Sequence, residues 1–98
     1  MRKLYILSCV LDWDEENIAH IGRHKVTPRE IEELFSRAYA IEIDDPVNGE
    51  ERFLAHGTTK RGRYLTVVLT ERNGRTRPIT TWDMTRKDRE RHADEIHN

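Results

Sequence analysis

The stretch from Arg63 to Trp82, RYLTVVLTERNGRTRPITTW, predicts a β-hairpin. Its first half consists mainly of β-branched, aromatic and aliphatic residues, which is typical of a half-buried strand. Asn73-Gly74 then supplies the two residues with positive φ that a two-residue type I′ turn requires. Thr76 to Trp82 is therefore expected to return as the partner strand.

A two-residue turn also fixes the register of the hairpin. The expected cross-strand pairs are Arg72–Arg75, Thr70–Arg77, Val68–Ile79 and Leu65–Trp82. Pro78 complicates this register, because proline cannot donate to a strand ladder and favours an outward N–H direction or a bulge. A bulge would swap the faces of the residues that follow it.

Length and charge limit the classes of protein to consider. The 98 residues are enough for one small domain with a single core. The formal net charge of −1 does not by itself indicate a nucleic-acid binder. The second half is nevertheless basic, since residues 50–98 hold eleven Lys/Arg against eight Asp/Glu. Cys9 is a single cysteine, and no segment approaches the roughly 18 apolar residues of a membrane span, so a cytoplasmic protein without membrane contact is expected.

Periodicity and capping signals predict the other elements. They are an interior strand at Leu4 to Leu11, helices from Asp12 to His24 and from Val26 to Ala38, strands at Tyr39 to Asp44 and Glu51 to Gly57 with a turn at Asp45 to Gly49 between them, and a final helix from Thr85 to about His97. The predicted fold is α+β, a single domain over residues 1–98. Its antiparallel sheet combines the N-terminal strand with a four-strand meander, and its two N-terminal helices and one C-terminal helix gather on one side.

Metal binding and nucleophilic catalysis have little support. His20 and His24 lie four apart on a predicted helix, but a zinc site needs three or four placed ligands. Neither a metal nor a cofactor is therefore expected. The chain has no Gly-x-Ser-x-Gly elbow, and the basic loop from Lys60 to Arg63 lacks the glycine spacing of a phosphate-binding loop.

Polar chemistry on RNA has more candidates. Metal-free RNA cleavage needs a base for the 2′-OH, cations against the charged phosphorane and an acid for the leaving 5′-oxygen. The candidates are Glu71 or a histidine as base, His24 or His56 as acid, and Arg61, Arg63, Arg75 and Arg77 as cations. Any charged surface offers such residues, so a solvated sheet edge is the alternative.

Short motifs follow one another in a fixed order between Leu11 and about His92. They are Trp13-Asp14-Glu15, Arg23 to Thr27, Asp45-Pro46, Glu51-Arg52-Phe53, the basic loop Gly57 to Gly62, and Val67 to Arg72. This ordered set resembles the BrnT toxin family, which consists of small RNA-cleaving toxins with a RelE-like fold.

The resemblance implies a toxin of a type II toxin–antitoxin system, a metal-independent endoribonuclease that cleaves mRNA and inhibits translation. The implied partners are RNA and a BrnA-like ribbon-helix-helix antitoxin, with a homodimer as a further expectation. The candidate catalytic residues are Glu71 as base, Arg77 as phosphate cation, His24 and His56, and the candidate RNA contacts are Arg61, Arg63, Arg75 and Trp82.

Trp82 stands where BrnT relatives carry an arginine. We expect it to pack in the core opposite Leu65, and stacking on an RNA base, worth about 1–3 kcal/mol, is the alternative. Loss of the arginine also supports a second functional hypothesis. In it the chain is a catalytically degenerate domain that only binds its antitoxin or RNA.

Overall fold

A computed structural model describes residues 10–97 of the chain. Within this range an antiparallel meander contains strands β1 (Ala40–Val47), β2 (Glu50–Thr58), β3 (Tyr64–Arg72) and β4 (Arg75–Asp83). Helices α1 (Glu15–Gly22) and α2 (Pro28–Phe35) precede the sheet, and α3 (Arg86–Arg91) and α4 (Ala93–Ile96) follow it. The predicted α+β class with an antiparallel sheet is confirmed. No helix in this range is long and apolar enough to cross a membrane.

The strand predicted at Leu4 to Leu11 lies mostly outside the described residues. Its last residues run beside β4, where Leu11 forms a parallel bridge with Thr76. The N–H of Thr76 donates to the carbonyl of Val10 at 3.2 Å, and the N–H of Asp12 donates to the carbonyl of Thr76 at 2.9 Å. The chain therefore enters the described fold along the β4 edge.

Both N-terminal helices begin at capping boxes. The Asp14 side chain accepts from the N–H of Asn17, and the Thr27 side chain accepts from the N–H of Glu30. In each case the side chain three residues on accepts from the N–H of the capping residue, which satisfies a further orphan donor. The local signal at Thr27 predicted the start of α2, whereas α1 begins at Glu15, three residues after the predicted Asp12.

The C-terminal segment forms two short helices instead of the one that was predicted. The Thr85 side chain caps α3 by accepting from the N–H of Asp88 at 3.1 Å. The backbone then leaves helical geometry at His92 (φ −109°, ψ 13°), and α4 begins at Ala93. His92 therefore sits at a joint between two helices.

The central hairpin turns at Asn73-Gly74, whose φ values are 52° and 75°. The predicted pairs Arg72–Arg75 and Thr70–Arg77 are confirmed, whereas Val68–Ile79 and Leu65–Trp82 are wrong. Leu69 faces Pro78 but Val68 faces Thr80, so Ile79 is the extra residue of a bulge. Beyond the bulge, every residue of β4 lies on the face opposite to the one predicted from a register without a bulge. Trp82 therefore pairs with Thr66.

One side of the sheet, which we call the apolar face, packs against α1 and α2. The buried cluster contains Phe53, Ala55, Leu65, Val67 and Leu69 from the sheet, and Ile21, Val26, Ile31 and Leu34 from the helical segment. Gly57 permits this close packing, because a Cβ atom there would lie only 2.8 Å from Cγ of Leu34. The apolar face is the hydrophobic core of the domain.

The opposite side, which we call the histidine face, carries a cross-strand row of Ala40, His56, Thr66 and Trp82. The ring of His92 stacks on that of His56, with centroids 4.5 Å apart and planes at 15°. Helices thus lie on both faces of the sheet, whereas they were expected on one side. A helix with few apolar residues can cover a sheet here because polar contacts take the place of an apolar stripe.

Candidate functional site

Polar side chains from three parts of the fold meet at a single oxygen, Oε1 of Glu42 on β1. Nε2 of His56, on β2, lies 2.7 Å from this oxygen. From the C-terminal helices, Nη2 of Arg91 lies 2.6 Å away and Nε2 of His92 lies 3.1 Å away. We call these four residues the Glu42 cluster.

Burial is graded across the Glu42 cluster. His56 is fully buried, and its Nδ1 lies 2.9 Å from Oγ1 of Thr66. The side chains of Glu42 and Arg91 are 27% and 48% exposed. The cluster therefore has a buried end at His56, an intermediate position at His92, whose side chain is 11% exposed, and an open end at Glu42 and Arg91, where a phosphate group can approach.

Charge in the Glu42 cluster favours an ionised carboxylate. Burial raises the pKa of Glu42, but hydrogen bonds from His56, Arg91 and His92 outweigh it and leave that pKa below its ordinary value of 4.5. The hydrogen bond to Glu42 in turn raises the pKa of Arg91. The open end of the cluster thus presents a carboxylate with a permanently charged guanidinium beside it.

His92 has partners at both ring nitrogens. Its Nδ1 lies 3.3 Å from Oε1 of Glu95, and its Nε2 lies 3.1 Å from both Nη2 of Arg91 and Oε1 of Glu42. Nε2 can therefore accept from Arg91 as neutral imidazole or donate to Glu42 when protonated.

Glu71 and Arg77 do not share a face of the hairpin. Glu71 pairs with Thr76 and Arg77 pairs with Thr70, so their side chains project in opposite directions. Glu71 is exposed beside the hairpin turn. Its role as a base, like that of Arg77 as a phosphate cation, stays a prediction.

Arg77 has a structural role as well. Its side chain is only 8% exposed, and Nη1 lies 2.9 Å from Oδ2 of Asp14 and 3.5 Å from Oδ2 of Asp12. The hydrogen bond from Arg77 lowers the pKa of Asp14 below its ordinary 3.8, and the same bond raises the pKa of Arg77. Arg77 therefore anchors the start of α1 to β4.

The other predicted residues are spread over the molecule. Arg63 donates from Nη1 to the carbonyl of Lys25 at 2.7 Å and from Nη2 to the carbonyl of His24 at 2.9 Å. Arg63 thus fastens the α1–α2 connection, where Lys25 has a φ of 57°. Arg61 lies exposed in the loop before β3, and Arg75 lies exposed beside the hairpin turn. These residues do not gather around one point.

Trp82 lies on the histidine face and is 36% exposed, so its expected place in the core opposite Leu65 is wrong. The bulge at Ile79 is the physical reason. Trp82 lies two strands from His56 in the same cross-strand row, about 10 Å away at the usual strand spacing. Of the eight predicted site residues, His56 and Trp82 are thus two that share this face.

A family model for the ribonuclease toxin BrnT of type II toxin–antitoxin systems matches residues 13–88. The chain belongs to the BrnT family. Its class is therefore that of a ribonuclease toxin with an antitoxin partner. A search of curated proteins gave no match. The matched BrnT segment includes Glu42 and His56 and ends before Arg91 and His92.

Sequence reasoning missed most of the Glu42 cluster in this BrnT chain. The alternation around Glu42, which lies between Ile41 and Ile43, indicates a polar side of β1 and was the one available signal. Nothing in the sequence indicated the contact of His92 with Glu42, because it joins residues 50 positions apart. Only the folded chain brings them together.

Proposed function

We propose that this BrnT toxin is a metal-independent endoribonuclease that cleaves mRNA in the cytoplasm and thereby inhibits translation. Its family supports the reaction class. The observation that carries the proposal is the meeting of an imidazole, a carboxylate and a guanidinium at Oε1 of Glu42. Proton transfer and stabilisation of a charged phosphorane need these groups.

In the proposed reaction, Nε2 of His92 takes the proton of a ribose 2′-OH. The 2′-oxygen attacks the adjacent phosphorus while the bond from phosphorus to the 5′-oxygen breaks. The products are a 2′,3′-cyclic phosphate and a 5′-hydroxyl group, whose oxygen takes up a proton from water. Glu42 stabilises the imidazolium that forms, and Arg91 donates hydrogen bonds to the phosphate as its charge develops.

His56 acts in this scheme as a positioning residue. It is fully buried, so it cannot reach a substrate, but its 2.7 Å hydrogen bond holds the oxygen of Glu42 toward His92. Trp82 provides an exposed aromatic surface on the same face for an unpaired base. Arg61 and Arg75 are exposed and stay candidates for contacts with the RNA backbone.

A cleavage assay with purified protein, single-stranded RNA and a chelator tests the proposal. We expect RNA fragments with cyclic phosphate ends. Glu42→Gln and His92→Gln should each lower the rate about 10²–10⁴-fold, since each removes a group from the proton transfer. His97→Gln is the matched control, because His97 also lies near the C-terminal end but bonds to Tyr64 at 2.8 Å. It should keep the wild-type rate.

Glu71→Gln and Arg77→Lys, assayed alongside, test the candidates on the hairpin. Loss of cleavage in these two variants, with wild-type rates in Glu42→Gln and His92→Gln, would move the catalytic centre to the hairpin. If the folded wild-type protein leaves RNA intact while it still binds its antitoxin, the degenerate binding domain is the correct function. In cells, expression should stop growth and reduce protein synthesis.

The class of the antitoxin and the assembly of the toxin are also part of the proposal. We infer that a BrnA-like ribbon-helix-helix protein, encoded next to the toxin, neutralises it, and that the free toxin forms a homodimer. Co-expression with the neighbouring open reading frame should restore growth and yield a stable complex. Sedimentation of the free toxin at the mass of a single chain would contradict the dimer.

A further inference from the structure

Glu42, His56 and His92 also have the arrangement of metal ligands. Oε1 of Glu42 lies 2.7 Å from Nε2 of His56 and 3.1 Å from Nε2 of His92, and all three ligand atoms lie within 4.8 Å of one another. Ligand atoms around a tetrahedral zinc ion are about 3.3 Å apart, as follows from bonds of about 2.0–2.1 Å. The separation of Glu42 from His56 would therefore have to widen by about 0.6 Å, and that of Glu42 from His92 by about 0.2 Å, to make room for one ion.

In each imidazole, the nitrogen that points away from Glu42, Nδ1, lies within hydrogen-bond distance of a side-chain oxygen. Nδ1 of His56 lies 2.9 Å from Oγ1 of Thr66, and Nδ1 of His92 lies 3.3 Å from Oε1 of Glu95. When Nδ1 carries the proton and donates to these oxygens, Nε2 of both rings is left as a lone pair on the side of Glu42. Because the two rings are stacked with their planes at 15°, the ring of His92 has to rotate before both lone pairs reach the same ion. Histidines that bind metals are usually oriented by such an outer hydrogen bond.

A cation already occupies the open end of this site. Nη2 of Arg91 lies 2.6 Å from Oε1 of Glu42 and 3.1 Å from Nε2 of His92. The side chain of Arg91 is 48% exposed, so it can turn into solvent without opening the core. The position thus attracts positive charge, and its present occupant can be displaced.

We propose that Glu42, His56 and His92 bind one divalent transition-metal ion of the zinc class, in exchange for the guanidinium of Arg91. Two imidazoles and one carboxylate suit zinc, cobalt and nickel, whereas magnesium and calcium favour oxygen ligands. The fourth position remains open to water. His92 lies outside the segment that matches the BrnT family, so the complete ligand set includes a residue that the family match does not cover.

The site has a consequence for activity, which rests on the function proposed above. A metal ion on Nε2 of His92 occupies the lone pair that takes the 2′-OH proton, and displacement of Arg91 removes the cation next to the phosphate. The ion should therefore suppress RNA cleavage, and a chelator should restore it.

Metal binding can be measured without RNA. Untagged, full-length protein, first treated with a chelator, is titrated with Zn²⁺ by calorimetry and with Co²⁺ by its visible absorption spectrum. We expect one ion per chain and a Co²⁺ spectrum typical of four or five ligands. His92→Gln should weaken binding at least about 100-fold, and Thr66→Val should weaken it about 10–100-fold through loss of the outer hydrogen bond.

The double variant His20→Gln/His24→Gln is the matched control. It removes two histidines that lie four apart on or next to α1, away from the Glu42 cluster, and should keep full affinity. Absence of 1:1 binding overturns the proposal. So does binding that survives His92→Gln or disappears in the control. His92→Gln is decisive because His92 lies at a helix joint, whereas a variant of the buried His56 can fail to fold.

The binding and cleavage experiments test the two proposals independently, so that either proposal can be contradicted while the other stands. A metal-free protein that does not cleave RNA contradicts the proposed catalytic function and leaves the calorimetric result standing. A protein that binds Zn²⁺ at Glu42, His56 and His92 but cleaves RNA equally well with the ion contradicts the suppression of activity alone.

Discussion

Helices cover both faces of the four-stranded sheet, but the contacts differ: they are apolar on one face and polar on the other. On the apolar face, Leu65, Val67 and Leu69 are completely buried beneath α1 and α2. On the histidine face, the equally buried His56 and Thr66 bond to polar partners. Burial of apolar area stabilises a fold directly, whereas a buried polar group contributes little beyond offsetting its lost hydration. The apolar face therefore supplies stability, which leaves the histidine face available for chemistry.

The largest expected effect tests the role of the apolar face. Leu34→Ala removes a fully buried side chain of α2 and should lower the free energy of unfolding by about 2–5 kcal/mol. Because Leu34 packs on the apolar face, on the side of the sheet opposite to the Glu42 cluster, the cleavage rate per folded molecule should stay at the wild-type value. Urea denaturation and cleavage assays on the same sample measure both. A reduced cleavage rate per folded molecule would contradict the separation of the two faces.

A second change tests the close contact between β2 and α2 on the apolar face. Gly57 follows His56 directly, but its side-chain position points at Leu34 on the apolar face. Gly57→Ala should lower the free energy of unfolding by about 1–3 kcal/mol through overpacking. In the double variant with Leu34→Ala the two costs should sum to less than their separate values, because the smaller side chain makes room for the new methyl group. Additive costs in denaturation would show that this contact is not the cause.

Trp82 tests whether a change on the histidine face lowers RNA affinity without lowering stability. Trp82→Ala removes an exposed ring and should weaken binding of single-stranded RNA about 5–150-fold, which corresponds to about 1–3 kcal/mol of lost stacking. The midpoint of thermal unfolding should change little. Ile18→Ala is the control, since Ile18 is similarly exposed at 42% but lies on α1. Fluorescence anisotropy with labelled RNA measures the affinity, and equal loss in both variants would argue against stacking.

The smallest effect concerns the ion pair between α1 and β4. Asp14 has a pKa lowered by its hydrogen bond from Arg77, so its contribution to stability is present above its ordinary value of 3.8 and is lost as the pH falls through the lower folded value. Asp14→Asn keeps the cap of α1 but removes the charge. The variant should be less stable than wild type at neutral pH, and the difference should shrink below about pH 3.8. A difference that is constant with pH would contradict the ion pair.

The fold could be predicted largely because its signals are local. Asn73-Gly74 determines the hairpin turn, and Thr27-Pro28 with Glu30 determines the start of α2. The exceptions are the register after Pro78, the break between α3 and α4 at His92, and the helices on the second face of the sheet. Proline indicates that the ladder is disturbed. The sequence does not show whether the proline nitrogen faces outward or whether the strand gains an extra residue in a bulge.

The candidate site was much less predictable, because it depends on contacts between distant segments. His56 and Trp82 were named from residue type alone, and the bulge places Trp82 on the face of His56. Arg77 also looked like a free cation, yet it is held by carboxylates that lie over 60 positions earlier in the chain. A charged residue reveals its partner only when the chain is folded.

Because β4 contains one extra residue, the length of this strand decides on which face of the sheet Trp82 lies. Deleting Ile79 would restore an unbroken ladder, and Trp82 would then turn toward α1 and α2 with every other amino acid unchanged. Two toxins whose final strands contain the same residue types can therefore present different side chains to RNA if one strand is a single residue shorter. Alignments of this segment should place the gap at the bulge before they compare the residues beyond it.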